Sequence, residues 1–361
     1  MARRANESSH GKKRILIATA HVPFIRGGAE EHAEGLRDAL REAGHEAEIV
    51  AVPFKWYPPE KILDHMLACR LLDLTEVAGT PVDLLIGLKF PAYLIPHHHK
   101  VLWILHQHRT AYELWDHPHY RDIIDWPHGV EIRDAIRQAD RNLIPHARAV
   151  YANSQNVARR LKEYCDIDAA PLYHPPPHAA DFYCAPAEDY FFFPSRLSRP
   201  KRQSLVVEAL AHTRQPVRVQ FAGATDHHSI ETELIELAAR LRVHSRVVWL
   251  GRITEEEKRR RYAHAVAVLY PPFDEDYGYV TLEAMLSSKA VLTCTDAGGP
   301  SEFVRDGETG LVAEPTPESL AAVMDQLWLD RDQAKQMGAA GRARYDEMNI
   351  TWPHVVRQLL S

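Results

Sequence analysis

Two glutamates in the second half of the chain, Glu275 and Glu283 of PPFDEDYGYVTLEAM, stand with seven residues between them across the junction of a loop and a helix. A helix start attracts anions through its N–H groups and its dipole, and Gly278 lets a ligand come close to the backbone there. A carboxylate at such a place cannot itself hold phosphate. Its useful chemistry is to accept hydrogen bonds from hydroxyls, so Glu275 is assigned to a sugar and Glu283 to the ribose of a nucleotide. The plain alternative is that Glu283 caps its helix and Glu275 is a solvated loop acid.

A second group is cationic. In SRLSRPKRQ, between the strand FFF and a helix, Arg196 and Lys201 can reach back over the strand end. A guanidinium fork and an ammonium charge suit the negative charge that builds on a departing diphosphate. Arg199 and Arg202 read as solvated helix-start residues. A third signal is Gly27-Gly28 ahead of Glu30, where two glycines let backbone lie against a phosphate or sugar. The full G-x-G-x-x-G of a dinucleotide site is missing, and a tight turn is the alternative.

The elements that must position these groups follow from hydrophobic periodicity. RILIATA, a Pro- and Gly-punctuated loop, the helical AEEHAEGLRDALREAGH and the strand AEIVAV form a βαβ unit, whose loop sits at the strand's carboxyl end where ligands gather. DLLIGL, KVLWIL and AVYAN are further strands, and QNVARRLKEY is a helix. The segment HPPPHAADFYCAP has no period and reads as a linker or domain crossing. The pattern then restarts with strands in DYFFFPSRL, VRVQFAGA, RVVWLGR, AVAVLYPP, AVLTCTD and GLVAEP, separated by helices. Thr254 and Glu257 match a capping box, and Thr316-Pro317 is a good helix start with two terminal helices after it. The expected fold class is α/β, with two Rossmann-like domains: a basic disordered tail at 1–14, a first domain at 15–178, a second at 186–340 and a terminal helix segment at 341–361.

Composition limits the function classes. At 361 residues the chain is long enough for two α/β domains, and a net charge of -6 lacks the footprint of a general nucleic-acid binder. Four scattered cysteines form no Cys-x-x-Cys pair, which argues against a zinc ribbon and against a secreted disulfide framework. No apolar run approaches the roughly 20 residues that span a bilayer. The expected location is cytoplasmic, with contact at the inner membrane face left open through the basic tail.

Taken together, PFIRGGAEEH, SRLSRPK, EDYGYVTLEAM and TDAGGPSEFVRDGETGLV resemble the retaining glycosyltransferases of family 4, over nearly all the chain after the tail. The resemblance implies the GT-B fold, with two domains facing across a cleft and a C-terminal helix crossing back to the first. It implies a nucleotide-diphosphate sugar donor of UDP or GDP type, with Arg196 and Lys201 on the diphosphate, Glu275 on the sugar and Glu283 on the ribose. Backbone around Gly278, Tyr279 and Val280 would meet phosphate, Arg252 and Ile253 would flank the base, and Gly27, Gly28 and Gly223 complete the donor-binding positions. A histidine after a central strand is implied beside the reacting sugar; His106 directly follows the strand, and His108 is the alternative. The acceptor would be a glycan, a lipid-linked or a small-molecule hydroxyl.

This sequence departs from the family's pattern at Asp276, Tyr277 and the HPPP of 174–177, which leaves the sugar identity open. Asp274 and Asp276 match Asp-x-Asp, which holds a divalent metal in other glycosyltransferase folds, but with Arg196 and Lys201 present no cofactor or metal is expected. The histidines at 97–99, with His106, His108, His117 and His119, fit no standard zinc spacing. An epimerase and a non-catalytic sugar-nucleotide binding protein remain the alternatives.

Overall fold

The computed structural model describes residues 11–225 and 228–361. The basic tail therefore lies largely outside the described residues. Arg14, which the 1–14 bound counts with that tail, opens the first strand, as the strand reading of RILIATA has it, and its backbone pairs in register with Glu46.

The chain divides into two compact units. Unit 1 takes residues up to Asn153, Val157–Leu172 and Trp352–Ser361. Beside a small antiparallel pair at Glu76–Val77 and Thr80–Pro81, its main sheet is built of β1 (Arg14–His21), β2 (Glu46–Pro53), β3 (Leu84–Gly87), β4 (Lys100–Ile104), β5 (Ala149–Ala152) and β6 (Ala170–Pro171). They lie in the order β2-β1-β3-β4-β5-β6 and all pair in parallel. Parallel strands are covered on both faces, which is why β1, β3 and β4 are apolar runs rather than alternating ones. The helices are α1 (Gly28–Glu42), α2 (Glu60–Leu71), α3 (Gly129–Leu143) and α4 (Gln155–Cys165). The sequence reading had neither α2 nor α3.

The terminal helix Trp352–Leu360 belongs to unit 1, where Val355, Val356 and Leu359 join the cluster of Ile15, Ile17, Leu36 and Trp103. Trp352 stands edge-on to Trp103 with ring centroids 6.3 Å apart. Its ring fills the space over Gly35, where a Cβ would come within 2.5 Å of it.

Unit 2 takes Ser154–Asn156 and Tyr173–Thr351. Its strands are β7 (Phe191–Pro194), β8 (Val219–Ala222), β9 (Val247–Trp249), β10 (Ala267–Leu269), β11 (Ala290–Cys294) and β12 (Gly310–Ala313). The order is β9-β8-β7-β10-β11-β12, again parallel throughout. Around them stand α5 (Gln203–His212), α6 (His228–Arg240), α7 (Glu255–His264), α8 (Tyr279–Leu286), α9 (Pro300–Phe303), α10 (Pro317–Leu329) and α11 (Arg331–Glu347). Thr254 and Thr316 cap α7 and α10, accepting the N–H groups of Glu257 and Ser319 at 3.2 and 3.3 Å. Three helices, not two, follow Thr316.

Two expected boundaries move. The segment from Tyr173 to His178 joins unit 2, because His174 is buried there and exchanges two backbone hydrogen bonds with the Tyr277 hydroxyl, at 2.9 and 2.6 Å. Phe182 is likewise buried in the unit 2 core, so the proline-rich stretch is docked rather than an open linker. The terminal segment begins at Trp352 rather than 341, since 341–347 continue α11, whose Gly338 lies against the backbone of Ser288.

In unit 2 the chain runs outward from β7 through β8 to β9, then returns to the other side of β7 with β10. The loops after β7 and β10 thus part at the switch point, where open parallel sheets take ligands. In unit 1 the same point lies between β1 and β3, which puts the Gly27-Gly28 loop beside it.

Candidate active site

The loop after β7 carries Lys201 and the loop after β10 carries Glu275, and the structure brings them together as an ion pair. The Lys201 ammonium also donates to the Tyr270 hydroxyl at 3.0 Å. Burial and then the charge of Glu275 hold the Tyr270 phenol well above its usual range, so it stays protonated beside the pair. Glu275 is not a solvated acid: its side chain is 21% exposed. Its backbone is pinned as well, since its N–H donates to Ala297 at 2.8 Å and its carbonyl accepts from Gly299 at 2.8 Å and from the Asn156 amide at 3.0 Å. The double glycine of TDAGGPS has a packing reason: at φ +72 Gly298 is left-handed, and a Cβ there would lie 2.6 Å from the Glu275 carbonyl oxygen.

Glu283 sits within α8 rather than at its cap, and is 5% exposed. One oxygen accepts from Lys258 at 3.0 Å and the other from the Tyr262 hydroxyl at 2.6 Å. Burial alone would lower the Lys258 pKa, but the charges and hydrogen bonds of Glu283 and Glu255 outweigh it and raise the value. The cap of α8 is Gly278, left-handed at φ 91 and offering no side chain to the first turn that includes Tyr279 and Val280. The Tyr279 hydroxyl lies 2.7 Å from the His174 ring, and Tyr277 stacks on that ring at 4.5 Å, which fixes the approach of the loop into the helix.

Arg196 is exposed on the loop after β7, and Arg252 is exposed after β9 while Ile253 packs against the unit 2 core. Gly223, at φ +149, lets the loops after β7 and β8 touch: a Cβ would lie 2.1 Å from the Ser195 carbonyl oxygen. Its N–H donates to Gly251 at 2.8 Å, so three loop starts stack at one end of the sheet. Asp274 is left-handed at φ 45 and accepts from Asn156 at 2.8 Å. Arg199 meets Glu233 in an exposed contact at 3.4 Å. Arg202, however, is not solvated as the sequence reading had it; it grips both oxygens of Asp296 at 2.7 Å. Lys258, Tyr262, Tyr270, Asp296 and Asn156 all escaped that reading.

In unit 1, Gly27 is the N-cap of α1, with its N–H held by the Glu30 carboxylate at 2.8 Å. Unlike Gly223 or Gly298, it is extended at φ -160, and a Cβ would meet only Glu30 at 3.9 Å. Protein packing does not require a glycine there. A cavity of about 390 Å³ adjoins it, bounded by His21, Phe24, Ile25, Arg26, Glu30 and Glu34 among others. His106 is half-buried just past β4, with Nδ1 2.7 Å from the Gln107 carbonyl. Because a carbonyl only accepts, this contact places the proton on Nδ1. His108 instead stacks on Phe90 at 5.3 Å, and burial and the nearby His106 push its pKa down to about 3, keeping it neutral. Gln107 is buried and donates to Asp140 at 2.9 Å; the hydroxyls of Tyr93 and Tyr112 reach the same carboxylate at 2.9 and 2.7 Å.

Residues 185–344 match the family model described as glycosyl transferases group 1. The D-inositol 3-phosphate glycosyltransferase of Nocardia farcinica is 30% identical over 243 residues, covering 61% of this chain and 53% of that protein. The chain spans about half the length of the curated relatives it matches. Among solved structures, the sucrose-phosphate synthase of Thermosynechococcus elongatus superposes with a TM-score of 0.74 at 18% identity, covering 96% of this chain and 97% of that one. Anabaena Alr3699/HepE in complex with UDP and glucose gives 0.68 at 19% identity, covering 96% and 98%. The fold is that of the GT-B glycosyltransferases, built from two parallel-sheet Rossmann-like domains. Among the described residues no helix is long and apolar enough to cross a membrane.

Proposed function

We propose that this chain is a glycosyltransferase that moves a sugar from a nucleotide-diphosphate donor to an acceptor hydroxyl with retention of anomeric configuration. The observation that carries the reading is the Lys201–Glu275 pair at the switch point of unit 2, inside the segment matched by the group 1 family model. A cation and an acid held side by side, near an α8 start that has no side-chain cap, suit a ligand whose diphosphate and sugar hydroxyls are adjacent. Arg196 and Lys201 would bind the diphosphate in place of a metal, Glu275 the sugar and Glu283 the ribose, and His106 is assigned to the reacting sugar.

In the proposed step the bond from the anomeric carbon to the phosphate oxygen breaks. The acceptor oxygen bonds to the same face, and its proton passes to the departing phosphate. Arg196, Lys201 and the α8 start would stabilise the charge that collects there. UDP-sugars are the first donors to test, because Alr3699/HepE has been solved with UDP-glucose.

Incubation with UDP-glucose, UDP-N-acetylglucosamine and GDP-mannose, each with sugar and lipid-linked acceptors, decides the reading. A glycosylated product with an unchanged anomeric centre by NMR supports it; an isomerised donor marks an epimerase, and binding without turnover a binding protein. Glu275→Ala, Lys201→Ala and Arg196→Ala are each expected to lower turnover by more than about tenfold, since charge-assisted contacts contribute ~1.5–3 kcal/mol each. Near-normal rates in all three would sink the site assignment.

A further inference from the structure

Lys201 and Glu275 lie on two separate loops, and their sequence neighbours are tied together by contacts that neither of them makes. Arg202, adjacent to Lys201, sets its guanidinium fork on Asp296 with two bonds of 2.7 Å, and its charged face lies 5.0 Å from the centre of the Phe273 ring. Asp296 returns the link through its backbone, accepting the Asp274 N–H at 2.9 Å, next to Glu275. The Phe273 N–H donates to Pro200 at 2.7 Å, which ties the loop of Lys201 to that of Glu275 directly. The ring of contacts is closed, running from Lys201 through Arg202, Asp296 and Asp274 to Glu275 and back.

Arg202 is left-handed, at φ 58, where the turn Arg199–Lys201 gives way to α5. The two charged side chains are 19% and 32% exposed. An ion pair that water still reaches in part adds only modestly to stability. A planar fork on a carboxylate nevertheless fixes direction as a single ammonium contact cannot. Resting on the donor-site reading above, we propose that Arg202 and Asp296 are positioning residues of that site, holding the two loops so that Lys201 stays on Glu275 and Tyr270. A misplacement of about 1 Å is enough to cost on the order of a hundredfold in a preorganised site.

The test uses the whole chain and a probe that needs no donor: competitive acetylation by acetic anhydride, with Lys201 followed by mass spectrometry against exposed Lys61 as the internal reference. In Arg202→Ala and in Asp296→Ala, Lys201 loses its fixed acidic partner and is expected to react about fivefold faster. Arg202→Lys keeps the charge without the fork and should not restore the wild-type rate. The exchange Arg202→Asp with Asp296→Arg should restore it, since aspartate tolerates a left-handed backbone. Unchanged Lys201 reactivity in both single variants overturns the proposal, whatever their turnover. If reactivity rises in the singles and falls back in the exchange, the clamp stands. In that case a drop in transfer rate of about tenfold or more supports the donor-site reading, and an unchanged rate sinks that reading while leaving the clamp.

Discussion

Asp140 shows most clearly how single residues in this chain are shaped by their surroundings. Burial pushes its carboxyl up to about 6, against the opposing pull of hydrogen bonds from Tyr112, Gln107 and Tyr93. Between its ordinary value near 4 and that value, the native protein keeps a proton that the unfolded chain has released. The contribution to stability is therefore full below about pH 4 and is lost as pH rises through about 6, with a magnitude of about 3 kcal/mol. The stability gap between wild type and Asp140→Asn should accordingly be larger at pH 4 than at pH 7 in chemical denaturation; a gap that does not move would show an ordinary carboxyl. Glu283 makes a contrasting case, a buried acid whose two oxygens are held by Lys258 and Tyr262. Lys258→Ala leaves it without its cation, and is expected to cost unit 2 about 3–5 kcal/mol, readable from a denaturant midpoint.

These residue-scale partners were the part hidden from the sequence. Arg202 and Asp296 are 94 positions apart, Asn156 and Glu275 119, and Lys258 and Glu283 25. Side chains that meet at one end of a parallel sheet leave no periodic trace. Glu275 and Lys201 were legible because each lies in a loop that follows a recognisable strand, and Glu283 because it lies in the recognisable helix after the Glu275 loop.

Among the elements, five of the six sheet strands of unit 1, all six of unit 2 and most of the helices could be read because parallel-sheet strands are short apolar runs between turn residues; the two-residue strand β6 has no such run. Helix α2 escaped for a physical reason: Ile62, Met66 and Cys69 face inward while Leu63, Leu67 and Leu71 stay exposed, so its apolar residues mark no single face. Helix α3 escaped because the third member of its inward row, after Ile132 and Ile136, is the buried acid Asp140. Loop packing was equally invisible. Gly223 reads as a ligand-binding glycine, yet its position already requires glycine to let two backbones touch. Gly223→Ala should therefore lower the stability of unit 2 by about 2 kcal/mol or more even without any ligand, as seen by thermal melting. An alanine variant that melts normally and fails only in donor binding would reverse that assignment.

For the whole molecule, the informative fact is that unit 1 is not continuous in the chain. Its core is finished by the helix Trp352–Leu360, with Val355 fully buried and Trp352 lying on Gly35. Trp352→Ala is expected to cost unit 1 about 3–5 kcal/mol, the usual range for emptying a packed aromatic site. Hydrogen exchange should show the loss in α1 and β1, with α5 and β7 protected as before; equal deprotection of both sets would show that the helix serves the two units alike.

The same arrangement governs how the protein is made. A ribosome delivers α1, with the bare patch around Gly35, long before it delivers the tryptophan that covers it, and the whole of unit 2 is synthesised in between. The nascent first unit must wait with apolar surface uncovered, so chaperone demand should persist through synthesis of unit 2 and fall when Trp352 and the helix it opens emerge.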